Sequence, residues 1–339
     1  MAAGDRKDVC KLWLFPAAVV LLGAWMAPLV YNAGKALAEV SRAKTTNGPI
    51  EWLAGRCAKA GFPEFYLTAL GIAALVLFLP WIEWLSAGRR SSDGWRPPGP
   101  WRLAPGRARI RTEGQALHGY PRGLWHLCAG FLLAAGLTLS LGMALVPAGF
   151  GTMRQSGAGF LPLLRTLLPL ALLLAAVQEV LFRGVAMGIF LRAMKPSAAI
   201  AMTALYFAAI HSLLPAGRLD VADPDAGGTG WEMLSLVLRH LAEGSGFVGV
   251  FLPYFGLGAL LAYARWRTAS LWLPIGLHTG WLFSRAALGM WIVPAADGRS
   301  KPAAEMLASG IVPLVALSVV AFLSHILTSR GNDERPVES

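Results

Sequence analysis

Apolar and polar positions fall along this chain in long blocks, not in short amphipathic periods. Eight apolar runs stand out, at about 12–31, 64–86, 122–147, 160–191, 197–215, 246–264, 270–294 and 304–327. A helix of about 20 residues crosses ~30 Å of hydrocarbon, and the runs are close to or above that length. The fourth is longer than one span needs, with Arg165 near its start, and fits a tilted helix. The fifth is the shortest, and its Pro215 fits a helix end. The pattern predicts an all-α, polytopic membrane protein with about eight transmembrane helices.

Composition agrees: 55% of the 339 residues are hydrophobic and 14% are charged, against about 25% charged in average soluble domains. The formal net charge of +11 suggests nucleic acid at first sight. The basic residues lie instead in short connections between apolar runs, where anionic lipid headgroups and the positive-inside rule place them, so no nucleic-acid partner is expected. With both termini on one side, 17 basic residues fall on that side and 10 on the other. This favours cytoplasmic termini, although the basic 33–63 connection runs against it. Residues 88–121, rich in Gly, Pro and Arg, read as a basic loop on the membrane surface. Residues 216–244, with Asp220, Asp223, Asp225, Glu232 and Glu243, read as a solvated outer loop. Cys10, Cys57 and Cys128 are odd in number and widely spaced, which argues against a disulfide framework or a cysteine metal site.

The chemistry is concentrated between Val177 and His211, with an outlier at His278. Glu179 and Arg183 sit four apart in the fourth run, on one helix face. Phe207 and His211 have the same spacing in the fifth, and His278 lies in the seventh. An ionisable group at a bilayer centre costs at least ~2.5–3.5 kcal/mol, so such residues mark function and need partners. Measured from span ends near Leu191, Ala198 and Ser270, the three groups Glu179, His211 and His278 lie about 18, 20 and 12 Å deep at ~1.5 Å per residue. One buried cluster is geometrically possible. A carboxylate in a low-dielectric site can act as base toward water, and imidazoles can orient that water or stabilise an oxyanion. A zinc site built from Glu179, His211 and His278 is the competing hydrolytic arrangement, without the His-Glu-x-x-His spacing that would strengthen it. The residues alone also leave open a proton or ion pathway, and a structural ion pair with satisfied histidines.

The strings Glu179-Val-Leu-Phe-Arg183-Gly184, Phe207-x-x-x-His211 and Leu273-Pro-Ile-Gly-Leu-His278-Thr-Gly-Trp281 come in the order of three motifs of one family. In them the chain resembles the CPBP family, the CAAX-type and bacteriocin-processing intramembrane proteases, over about 160–285. The resemblance implies a helical intramembrane endopeptidase that hydrolyses a peptide bond of a membrane-associated protein or peptide. Carried onto this sequence it points to Glu179, Arg183, His211 and His278 as catalytic residues: Glu179 as base by default, His211 sharing water activation, Arg183 orienting the carboxylate and His278 as oxyanion donor. Gln178, Phe207 and Leu282 would line the site. The alternatives are a catalytically reduced relative acting as a membrane binding or immunity protein, and a proton-coupled transporter.

Two positions depart from the family pattern. Its first motif begins with two glutamates, the first taken as the base, and here that position is Gln178. Its third motif has Asn four residues after the histidine, and here that position is Leu282. The expected organisation is an N-terminal membrane region (1–121), a third span and connection (122–159), a CPBP-like core (160–294) and a last span with a polar tail (295–339). No cofactor is expected, with a divalent metal such as zinc kept open. The expected partners are the peptide substrate and anionic headgroups, and the expected location is a bacterial inner membrane with both termini cytoplasmic.

Overall fold

The computed structural model describes residues 3–43, 48–87, 121–154, 159–215, 219–243, 246–293 and 311–329. The basic 88–120 stretch with His118, the 294–310 connection and the polar tail lie outside the described residues, as does the side chain of His325. In chain order the helices are α1 (Ala3–Ala43), α2 (Gly48–Lys59), α3 (Phe62–Ala87), α4 (Pro121–Leu145) and α5 (Phe160–Glu179). A π-helical segment (Val180–Ala186) joins α5 to α6 (Met187–Ala193). Then come α7 (Pro196–Ser212), α8 (Thr229–Ala242), a second π segment (Phe247–Phe251), α9 (Leu252–Thr268), α10 (Trp272–Trp291) and α11 (Ile311–Ser329). A two-residue antiparallel pairing, Thr152 with Val293 and Met153 with Ile292, ties the ends of α4 and α10.

Each of the eight apolar runs is helical over most of its described residues. Among the described residues five helices are long and apolar enough to cross a membrane: Lys7–Ala43, Phe62–Leu85, Gly123–Leu145, Phe160–Ala193 and Phe247–Thr268. The run containing His278 behaves differently for a physical reason. Helix α10 is packed by α4, α5 and α9, and Leu273 through Trp281 are all buried. A helix wrapped by protein need not be apolar, and α10 carries His278, Thr279 and Ser284 inside. The hydroxyls of Thr279 and Ser284 are satisfied by their own helix, donating to the carbonyls of Ile275 and Gly280 at 2.6 Å each.

The chain divides into two compact units, residues 1–95 with 209–247, and 96–208 with 248–339. In the first, α1 and α3 pack along their lengths around a core of Ala24, Ala27, Tyr66, Ala69, Leu70, Met233 and Val237. The close approach is made at Gly23, where a Cβ would lie 3.0 Å from the Leu70 Cα. Lys35 fastens α2: its ammonium donates to the carbonyls of Cys57, Ala58 and Ala60, at 3.3, 3.4 and 2.8 Å, and faces the Tyr31 and Phe65 rings. It thereby satisfies carbonyls that the end of α2 leaves without helical partners. The 216–244 segment corrects the expectation of a solvated loop. Thr229–Ala242 is helical, because Met233, Leu234, Leu236 and Val237 recur at helical spacing and pack on the α1–α3 core.

In the second unit α10 lies against α4 through glycines from both sides. A Cβ at Gly276 would overlap the Leu127 carbonyl, and one at Gly280 would lie 2.6 Å from the Phe131 carbonyl oxygen. From the other side, a Cβ at Gly130 would lie 2.9 Å from both the Leu273 oxygen and the Leu277 nitrogen. Small residues let helix backbones meet where lipid supplies no hydrophobic drive between them. Gly188 has open space around it and packs on nothing comparable. Replacing Gly276 by Val should force α10 off α4 and cost ~1–3 kcal/mol, the usual scale of overpacking. Gly188→Ala should be neutral or stabilising, and unfolding midpoints in detergent compare the two directly.

Candidate active site

Glu179 is the last α-helical residue of α5, and Arg183 lies in the π segment that follows. The π turn is closed by the Met187 amide donating to the Phe182 carbonyl, five residues back. Such single wide turns are common at functional sites. Glu179, Phe182, Arg183 and Ala186 are all buried in this register.

The Glu179 carboxylate is a junction. Its Oε1 accepts from Arg183 Nη1 at 2.9 Å and pairs with His278 Nδ1 at 2.7 Å. The three residues are 0%, 1% and 2% exposed, so the cluster is buried. An ionised carboxylate can only accept, so Nδ1 carries the proton, and a neutral His278 ring keeps its lone pair on Nε2. The second carboxylate oxygen, Oε2, and Arg183 Nε are buried without a hydrogen-bond partner. Arg183 Nη2 donates to the Gly258 carbonyl on α9 at 3.1 Å. The Phe207 ring on α7 covers the guanidinium, 4.5 Å from Cζ to centroid. Phe207 also meets His278 edge to face, at 5.9 Å between centroids. One aromatic ring therefore holds a cation on its face and borders the imidazole, an arrangement worth about 2 kcal/mol or more when desolvated.

Of the residues predicted from sequence, Glu179, Arg183, Phe207 and His278 are brought together. Gln178, next to Glu179, is half-buried. Leu282 packs in an apolar cluster with Ala135, Ala171 and Phe283, on α4, α5 and its own helix. A hydrocarbon side chain suits that position, where an amide would need partners. The unit that holds the cluster ends on α7 at Ala208, and His211 belongs to the other unit, half-buried in the last turn of the helix. Gly258 and Phe182 were not anticipated. Gly258 contributes a backbone carbonyl, which leaves no signature in the sequence. Its missing side chain lets α9 approach α7, where a Cβ would lie 2.9 Å from the Ala204 Cα. Phe182, edge to face with Phe207 at 4.9 Å, sits between two residues already singled out.

Glu179, His211 and His278 are not gathered as a three-residue ligand set among the described residues. Among the described residues no three His, Cys, Asp or Glu side chains gather as ligands. Glu179 Oε1 and His278 Nδ1 are also committed to each other.

The helices and their hydropathy define an all-α integral membrane protein. Within it, residues 160–284 match the family model described as type II CAAX prenyl endopeptidase Rce1-like, the family that the three motifs resemble. The match spans just over a third of the chain and begins and ends on the helices that build the cluster. The family's kind of function is CAAX-type intramembrane proteolysis. No curated protein and no solved structure matches the chain.

Removing one member of a buried ion pair strands the other and costs about 3–5 kcal/mol, whereas replacing both can be nearly neutral. Arg183→Met should therefore lower the unfolding midpoint in detergent more than Glu179→Gln does. Combining Glu179→Gln with Arg183→Met should recover more than half of the loss. Simple additivity in this cycle would mean that the pair is not an energetic unit.

Proposed function

We propose that residues 160–284 hydrolyse a peptide bond of a membrane-held protein or peptide, using the Glu179–His278 pair to move the proton. The observation that carries this reading is the shared Oε1 of Glu179, held by Arg183 on one side and His278 on the other among buried side chains. The pairing shifts the roles expected from sequence. Glu179, already neutralised by Arg183, is better suited to orient and charge-stabilise an imidazole than to take a proton from water. His278, fixed through Nδ1, offers Nε2 as the acceptor. Water loses its proton to Nε2 as its oxygen bonds to the substrate carbonyl carbon. The imidazolium formed is stabilised by the Glu179 carboxylate, and its proton passes to the amine as the C–N bond breaks. Gln178 beside this pair can hydrogen-bond substrate or water but cannot accept the proton. No step passes through a metal.

A second reading is supported by Gln178 and Leu282, which stand where the family pattern has Glu and Asn. In it the site is inherited, inactive and used for binding. Cleavage of a panel of lipidated and transmembrane peptides in proteoliposomes separates the two. The hydrolytic reading expects wild-type cleavage that falls by about 10²–10⁴ in His278→Gln, the range typical of lost general-base catalysis. A glutamine amide can still donate to an oxyanion, so retained activity in His278→Gln would return His278 to the donor role. His211→Ala tests separately the water-activating share that the resemblance assigns to His211. No wild-type cleavage, with activity appearing in Gln178→Glu, would establish the binding reading.

A further inference from the structure

In the first unit, helices α1 and α3 border an open cleft lined by Lys7, Cys10, Lys11, Leu14 and Trp84. Lys7, Lys11 and Leu14 follow each other at four and three residues, so they form one face of α1. Lys11 is bent across to α3, where its ammonium donates to the Trp84 carbonyl at 2.6 Å and lies 4.9 Å above the indole ring. The Trp81 indole returns a hydrogen bond to the Lys11 carbonyl at 3.0 Å, and Trp81 stacks on Phe15. The walls of the cleft are thus fixed. Lys7 is exposed, and Leu14 and Trp84 expose apolar surface. Among the described residues no acidic side chain lines it, and the neighbouring Asp8 is buried.

The position of the cleft identifies its occupant. Lys7 opens the first membrane-crossing segment, and Trp84 is one residue from the end of the second. A tryptophan and lysines at span ends belong at headgroup level. Two cations above an apolar wall at that depth match a lipid phosphate above its acyl chains. A free phosphate would leave the apolar wall uncovered. We infer that the α1–α3 cleft is a binding site for an anionic phospholipid, with its phosphate between Lys7 and Lys11 and an acyl chain along Leu14 and Trp84. This site is separate from the Glu179 cluster and does not depend on the function proposed for it.

Native mass spectrometry of the full chain, released from detergent and titrated with phosphatidylglycerol or phosphatidylcholine of identical acyl chains, tests the site. The wild-type protein should retain phosphatidylglycerol preferentially. Lys7→Glu should weaken that retention at least about fivefold, the worth of one basic residue at an anionic surface. Lys59→Glu, the same charge change on α2, should leave it unchanged. Lys7 is exposed, so its variant should keep the wild-type melting temperature. Equal retention of the two lipids would overturn the inference, as would equal losses in Lys7→Glu and Lys59→Glu. Displacement of the lipid by millimolar inorganic phosphate would also overturn it, by making the site one for free phosphate.

Discussion

A guanidinium and a carboxylate that share no surface with water have to neutralise each other, and the second unit is built to let them. Glu179 and Arg183 satisfy the first requirement by their four-residue spacing across the start of a π turn. Further partners come from three other helices, the Gly258 carbonyl of α9, the Phe207 ring of α7 and the His278 imidazole of α10, while Glu179 Oε2 and Arg183 Nε stay without a hydrogen-bond partner. Each of those helices has to come close, and at two of them a glycine makes the approach possible. The arrangement makes the ion pair a clamp on helix positions as much as a chemical group. It also explains why a site in an apolar chain can hold three polar side chains without solvent.

The same constraint sorts the helices by their surroundings. Those with long apolar exposed faces, such as α1 and α3, keep their charges near the ends. Helix α10 is enclosed by α4, α5 and α9, so its demand is for small residues at the contacts and internal partners for its hydroxyls. His278 is placed by this enclosure. With α10 pressed on α4 through Gly130, Gly276 and Gly280, the imidazole has little freedom to leave the carboxylate. Geometry of this kind, fixed before substrate arrives, is what proton transfer and charge stabilisation require.

Membrane class, the eight helical runs and the residues worth attention were readable along the chain, because hydropathy blocks and isolated charges are local properties. Glu179 with Arg183, and Phe207, carried their meaning in four-residue spacings and in motif order. The helix at Thr229–Ala242 was passed over because acidic residues and glycines around it mask an apolar stripe that only α1 and α3 reveal as buried. The Gly258 carbonyl was invisible for a deeper reason: every residue has one, and only tertiary approach selects which is used.

By itself the sequence determined that this chain lives in a bilayer as helices, and that a few ionisable groups sit too deep to be incidental, since the cost of burying charge is paid residue by residue. Only the tertiary structure decided how those groups are partnered. It put His278 Nδ1 and Arg183 Nη1 on the same oxygen of Glu179, the pairing on which the proposed division of roles rests. Hydrogen bonds between helices some hundred residues apart depend on packing angles and glycine contacts, which no local spacing encodes.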